Sequence, residues 1–239
     1  MTGVRSPSSH RALVLAHRGA SGHALENSRE AFRRAVDLGA DGVELDIHAT
    51  ADGSLVVHHD PALPGIGAIA ELDTKDVVRA TLPNGEFVPL LGEVLDIIGE
   101  HDVWVEIKSM AGRCNEKLLA TLDAGPAPDR YAVHSFDHRI VAQLGRLRPT
   151  LRRGILLASR PIDVISLLQE AGATTLWQVR HFIDRELVRA VHEVGAAIIA
   201  WTVNEDAEVT RLADLGVDGI CGNFPDRIQR VLGRGGETA

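Results

Sequence analysis

Two cysteines in 239 residues, Cys114 and Cys221, are too few and too far apart for a disulfide framework or a zinc-ribbon spacing. They are expected to be reduced and either buried or incidental. Apolar runs are short too: none reaches the about 18 residues needed to span a bilayer, so no membrane insertion is expected. The polar start, Met1 to Ser9, leads into Ala12 to Ala16, which is shorter than a signal-peptide core, and the expected compartment is the cytoplasm. Positive charge is in deficit, with 25 Lys and Arg against 33 Asp and Glu for a net charge of -8. No cluster of Lys and Arg reads as a nucleic-acid footprint, so nucleic acid is not an expected partner. What the chain does have is 45% hydrophobic and 24% charged residues, the balance of a soluble globular protein able to bury a large core. One domain over residues 1–239 is expected, with a frayed tail from about 233 to 239.

Gly residues punctuate the chain in a repeated way. Leu38-Gly39-Ala40, Ala171-Gly172-Ala173, Val194-Gly195-Ala196 and Leu215-Gly216-Val217 each close a helical pattern and open an apolar run, which is the grammar of repeated βα units. The first such helix, capped by Asn27 or Ser28, runs to about Leu38 with Ala31, Phe32, Ala35, Val36 and Leu38 on its apolar face. Eight strands can be counted: Leu13 to His17, Gly42 to His48, Val103 to Lys108, Tyr131 to Phe136, Arg153 to Leu157, Thr175 to Gln178, Ala197 to Thr202 and Gly219 to Cys221. Leu55 to His59 is a ninth apolar run, but the Asp52-Gly53 turn is too short for a parallel connection and makes it the antiparallel return of a hairpin. The expected fold is therefore α/β, a TIM (β/α)8 barrel with a hairpin and loop insertion after the second strand, at about 51–89. Pro61 to Pro89 is rich in Pro and Gly, with room for a short helix near Thr74 to Ala80. It reads equally as an active-site loop or as a harmless insertion.

Barrel enzymes work at the C-terminal ends of their strands. His17 and Arg18 end the first strand, Glu44 and Asp46 the second, Glu106 and Lys108 the third, and Trp201 with Asn204 the seventh. Side chains alternate along a strand, so Glu44 and Asp46 share a face, as do Glu106 and Lys108. Three carboxylates without a thiolate make an oxygen-only site that suits a divalent cation such as Mg²⁺ or Ca²⁺ better than zinc. Arg18 and Lys108 beside it can contact a phosphate, and histidines at the same mouth can move protons. No Ser, Cys or Asp nucleophile stands beside a base there, so the attacking oxygen comes from water or from the substrate. Together these parts describe metal-assisted phosphodiester cleavage.

Several stretches carry a resemblance. His17-Arg18-Gly19-Ala20-Ser21-Gly22, Glu26-Asn27-Ser28, Glu44-Leu45-Asp46, His59-Asp60, Glu106-Ile107-Lys108, Trp201-Thr202-Val203-Asn204 and Asp218-Gly219-Ile220 occur in an order that resembles the glycerophosphodiester phosphodiesterase family along nearly the whole chain. The resemblance implies a barrel hydrolase that releases sn-glycerol 3-phosphate and an alcohol from a small-molecule glycerophosphodiester, within glycerophospholipid metabolism. It implies Glu44, Asp46 and Glu106 on the metal, His17 and His59 as acid and base in an order left open, and Trp201 as an apolar wall for the glycerol group. It also decides between the adjacent His58 and His59, on which alternation alone is silent, in favour of His59. In the mechanism proposed for that family, the 2-hydroxyl of the glycerol attacks phosphorus and a cyclic 1,2-phosphate forms first.

The sequence departs from the family pattern in places. His59-Asp60 is followed by Pro61-Ala62-Leu63-Pro64-Gly65, which supplies no Arg, and Leu25 and Leu90 replace a usual Pro and Thr. A lysophospholipase D-like activity is one alternative. It would need an apolar trough from the Pro61 to Pro89 loop, for which Ile66, Ile69 and Leu72 look too few. A non-catalytic binder of phosphorylated metabolites is the other, disfavoured because every ligand and histidine position is filled. Among lesser candidates, His48 is balanced between surface and pocket, and His134 is expected as a hydrogen-bonded core histidine. Asn204 is balanced between a helix N-cap and a ligand contact. His10, His23, His101, His138, His181 and His192 are assigned to the surface or to helix ends.

Overall fold

A computed structural model describes residues 11–109 and 114–234. Met1 to Ser9, His10 and the tail beyond residue 234 lie outside the described residues. Elements follow in the order β1 (Leu13–His17), α1 (Arg29–Asp37), β2 (Gly42–Ala49), β3 (Leu55–Val57), β4 (Ala62–Leu63), β5 (Gly67–Ala68), α2 (Thr74–Val77) and α3 (Leu91–Ile98). Then come β6 (Asp102–Ser109), α4 (Cys114–Ala124), β7 (Tyr131–Ser135), α5 (His138–Leu147), β8 (Arg152–Leu157), α6 (Val164–Ala171) and β9 (Thr175–Val179). The chain ends with α7 (Arg185–Glu193), β10 (Ala197–Trp201), α8 (Asp206–Leu215), β11 (Gly219–Gly222) and α9 (Pro225–Val231).

Eight of these strands run parallel in the order β1, β2, β6, β7, β8, β9, β10, β11, and β11 pairs back onto β1 to close a barrel. Closure follows from the alternation of apolar strands with amphipathic helices, because each helix must bury one stripe and a ring of strands offers every helix a face. Along β2 the outward Val43, Leu45 and Ile47 are buried with Phe32, Leu95 and Val105 in a layer between strands and helices. A fully buried aliphatic side chain of this kind contributes about 1.5–3 kcal/mol. The other parity of β2, Glu44, Asp46 and His48, points into the barrel. Below that polar layer the interior is filled by Leu15, Trp104, Ala132, Leu156, Trp177, Ile199 and Cys221. Gly154 on β8 makes room for this plug, since a Cβ there would lie 2.9 Å from Trp177 and 3.1 Å from Trp104.

The expected hairpin is present. β3 pairs antiparallel to β2, with Val57 opposite Ile47 and Leu55 opposite Ala49, and returns the chain so that the His58 amide donates to the Asp46 carbonyl at 3.1 Å. Ser28, not Asn27, caps α1 by accepting from the Ala31 amide. The 61–89 stretch departs from the expected irregular loop. β4 and β5 form a small antiparallel pair, and Leu63, Ile69, Val77, Ala80, Leu82 and Val88 join Val56 in a core of their own. Short strands spaced by Pro and Gly hide their periodicity, which is why composition alone reads as a loop. Of the tail expected to fray from about residue 233, Arg234 pairs with Asp41 and donates to the Ala12 carbonyl, and the remainder lies outside the described residues. Among the described residues no helix is long and apolar enough to cross a membrane.

Candidate active site

The C-terminal ends of β1, β2 and β6 converge through register. His17 pairs with Glu44, and Asp46 pairs with Glu106, so inward-facing side chains from three neighbouring strands meet at one level. Glu44, Asp46 and Glu106 each present a carboxylate oxygen within 4.8 Å of the others, and all three are buried. Two cations reach into the group: Lys108 Nζ lies 2.6 Å from Glu106 and 3.1 Å from Asp46, and Arg18 Nε lies 3.0 Å from Asp46.

The β1–α1 connection is shaped to serve this cluster. Arg18 and Asn27 both adopt left-handed backbone, at φ 55° and 56°, and Gly19 follows at φ 78° where a Cβ would lie 2.7–2.8 Å from Ala31. That turn lets the Arg18 amide donate to Glu44 at 3.1 Å while its guanidinium forks onto Glu26 at 2.8 and 2.9 Å. Asn27, also buried, donates its side-chain amide to Asp46 at 2.8 Å. The Glu26-Asn27-Ser28 triplet thus orients Arg18, orients Asp46 and caps α1, one residue for each task.

Burial raises Glu44 to about 7, with the charge of Asp46 adding to the effect, and raises Glu106 to about 7, with Glu44 adding there. Burial would raise Asp46 as well, but Lys108 and Arg18 outweigh it and hold that carboxyl below its ordinary value. Lys108 moves upward, because Asp46 and Glu106 overcome the effect of its own burial. With all three carboxylates ionised, as ligation of a cation requires, Arg18 and Lys108 leave a charge of about -1, and a divalent cation would turn that to about +1, complementary to a phosphodiester. Asp46 Oδ1 is buried with Lys108 Nζ at 3.1 Å. An all-oxygen donor set of three buried carboxylates with oxygens within 4.8 Å of one another fits a hard cation.

His17 and His59 flank the cluster from different elements. The His17 Nδ1 is 2.8 Å from Asn223 Oδ1, which turns Nε2 toward Glu44 at 4.0 Å. The His59 Nδ1 is 2.8 Å from Asp60 Oδ1, and its backbone carbonyl accepts from the ring of His48 at 3.0 Å. A cavity of about 250 Å³ at the mouth is lined by His17, Arg18, Glu44, His59, Glu106, Lys108, His134, Phe136 and Trp201, among others. Trp201 packs edge-on to Phe136 at 5.6 Å and forms an apolar side of that cavity.

All eight site residues selected from sequence therefore come together at one mouth. His58 does not line this cavity and faces a neighbouring one. His48 is buried and supports the His59 backbone, which settles its balance against the surface. His134 departs from a hydrogen-bonded core histidine: it is buried between Trp104 and Trp177, neither ring nitrogen has a hydrogen bond, and Nε2 is 3.6 Å from Glu44. Burial brings its pKa down to about 4. Asn204 is not the N-cap of α8, a position held by Glu205 without a side-chain cap bond, and its side-chain Oδ1 accepts from the backbone amide of Asn223 at 2.9 Å. Asn223 itself carried no signal in the sequence, because it lies 206 residues from the histidine that it orients.

Fold and site define a barrel enzyme whose mouth combines a buried triad of carboxylates that could hold a cation with two histidines anchored through Nδ1. The sequence profile of the glycerophosphoryl diester phosphodiesterase family matches residues 17–227. A glycerophosphodiester phosphodiesterase of Caldanaerobacter subterraneus subsp. tengcongensis is 30% identical over 94% of this chain and 99% of its own. One from Bacillus altitudinis is 31% identical over 91% of this chain and 97% of its own. The crystal structure of a glycerophosphodiester phosphodiesterase from Parabacteroides distasonis superposes with a TM-score of 0.84 at 26% identity, covering 93% of this chain and 97% of that one. The chain belongs to the glycerophosphoryl diester phosphodiesterase family.

Proposed function

We propose that the protein hydrolyses glycerophosphodiesters to sn-glycerol 3-phosphate and an alcohol, with His17 and His59 as the proton-transfer pair. The observation that carries this reading is the single mouth where three buried carboxylates, Arg18 and Lys108 meet between two histidines whose Nδ1 atoms are both engaged. Glu44, Asp46 and Glu106 would hold Mg²⁺ or Ca²⁺, which would offset charge on the phosphoryl oxygens and make a coordinated hydroxyl more acidic.

Arg18 and Lys108 bind the non-bridging oxygens, and Trp201 with Phe136 walls the glycerol group. The 2-hydroxyl of the glycerol then sits next to the phosphorylated carbon, where attack on phosphorus closes a five-membered ring at high effective molarity. One histidine takes the hydroxyl proton at Nε2, the bond from phosphorus to the alcohol oxygen breaks, and the other histidine gives that oxygen a proton. Water opens the cyclic phosphate in a second step with the roles exchanged. Asn223 and Asp60 keep both rings from rotating between the steps. The barrel and the 51–89 insertion act as one domain here, because His59 follows directly from the insertion's hairpin.

The test is release of glycerol 3-phosphate from a panel of glycerophosphodiesters with and without a chelator, together with a substrate lacking the 2-hydroxyl. Chelator-sensitive release with a transient cyclic product is expected. Hydrolysis of the deoxy substrate at a similar rate would replace the cyclic step by direct attack of water.

A further inference from the structure

Beside the mouth lies a second cavity of about 380 Å³, within the range of small-molecule sites, and His59 lines both. Its walls are Leu25 from the β1–α1 connection, Leu63 and Ile66 around the β4–β5 turn, and Ala80 and Leu82 after α2. This is the apolar trough that the sequence did not promise. Of the three residues weighed for it only Ile66 takes part, while Ile69 is wholly buried in the insertion core and Leu72 packs against that core.

We propose that this trough is the subsite for the leaving alcohol and that it selects neutral aliphatic alcohols; the proposal rests on the phosphodiesterase reading above. Attacking and leaving oxygens stand on opposite sides of phosphorus in an in-line displacement, so the two halves of the diester must extend in different directions from Arg18 and Lys108. The smaller mouth cavity, built from barrel strand ends with Trp201 and Phe136, takes the constant glycerol half. The exit past His59 leads into the trough, whose walls come mostly from the insertion. A loop that varies without disturbing the barrel is where a fold accommodates the variable half of a substrate.

The chemistry of the lining narrows the alcohol. No Lys or Arg lines the trough, so a second phosphate or a carboxylate would meet only the charges of Glu26 and Asp60 and be repelled. Among the described residues the only aromatic rings in the lining are the imidazoles of His58 and His59; no Trp, Tyr or Phe lines it, so the cage that holds a quaternary ammonium is missing. Glu26 is held by Arg18 and Asp60 by His59 through Oδ1, so a cationic head group would compete with partners already in place. What the walls do offer is aliphatic surface, which repays each buried methylene.

The experiment uses a series of glycerophospho-n-alkanols from methanol to octanol, whose leaving oxygens have nearly the same basicity, so that a trend reads binding rather than bond breaking. In the native protein kcat/KM should rise about fourfold per methylene until the trough is filled. Ile66, on an exposed turn, can accept charge without loss of fold, and Ile66→Asp should flatten the slope. Free n-alkanols should inhibit the native enzyme with the same chain-length dependence, a readout that needs no variant. A flat series, or inhibition independent of chain length, would overturn the proposal while leaving the phosphodiesterase reading intact. A rise seen instead with acyl chains on the glycerol half would also overturn it, since the trough would then serve the other side. Absence of glycerol 3-phosphate release from every member, and from polar glycerophosphodiesters alike, would overturn the phosphodiesterase reading itself.

Discussion

At the barrel mouth, Glu44, Asp46 and Glu106 are buried beside Arg18 and Lys108, and each charge depends on partners from another strand or loop. In the neighbouring insertion, Leu63, Ile69, Val77, Leu82 and Val88 bury one another with no charge among them, and nearly all their partners lie within the same short stretch of chain. The contrast separates two kinds of vulnerability. A change at the mouth leaves an uncompensated buried charge and is felt by every group around it. A change in the insertion loses local packing and alters what covers His59, while the barrel register that sets the carboxylates stays as it is.

The largest effect should come at Asp46, where Lys108, Arg18 and Asn27 converge. Asp46→Asn should abolish divalent-cation binding by titration calorimetry and reduce turnover to background. Binding that persisted unchanged would move the cation site away from this cluster. Next is His59→Ala, with a loss of about 10²–10⁴-fold in kcat as expected for a missing acid or base, and with cation binding intact. His58→Ala, which faces the trough, should cost far less, and the reverse ranking would reassign the proton-transfer role. Asn27→Ala should weaken cation affinity by about 10–100-fold, the usual cost of losing a group that orients a ligand, because Asp46 loses its 2.8 Å donor.

The insertion supplies the smaller effects. Ile69→Ala opens a cavity in the insertion core at a cost of about 2–5 kcal/mol. Hydrogen exchange should quicken at β4, β5 and α2 while β2 and β6 keep their protection. Equal loss of protection in the barrel would mean that the two regions unfold as one unit. The smallest change concerns Asp52, whose carboxylate accepts from the Thr50 hydroxyl and from the Thr74 amide and ties the hairpin to the start of α2. The Thr50 hydrogen bond, followed by the Thr74 hydroxyl, lowers its pKa to about 2. A lowered carboxyl pKa stabilises the folded state above the unfolded value near 4, and that contribution is lost as pH falls through 2. Asp52→Asn should therefore lower the melting temperature slightly at pH 7 and converge with the native protein near pH 2, as thermal melts across pH would record.

Much of the site was legible because a strand has a period of two. Glu44 and Asp46, or Glu106 and Lys108, must share a face wherever the strand lies, and Gly after each helix marks the repeat that requires a barrel. The strand ends expected from sequence fall within one or two residues of the observed ones. Local pattern failed where a side chain's surroundings come from elsewhere. His48 and His134 look alike in sequence, yet one supports a backbone carbonyl and the other lies between two indole rings against Glu44.

By itself, then, the sequence determined the barrel, the parity that gathers three carboxylates and two cations at one end, and the family, since these depend on backbone geometry and on short ordered motifs. Only the tertiary structure decided that Asn223 orients His17, that the 61–89 stretch has a core of its own, and that Leu25, Leu63 and Leu82 enclose a trough beside His59. The physical reason is range. Alternation and capping act over a few residues, whereas burial and hydrogen-bond partnership are set by whichever distant segment the closed barrel brings opposite.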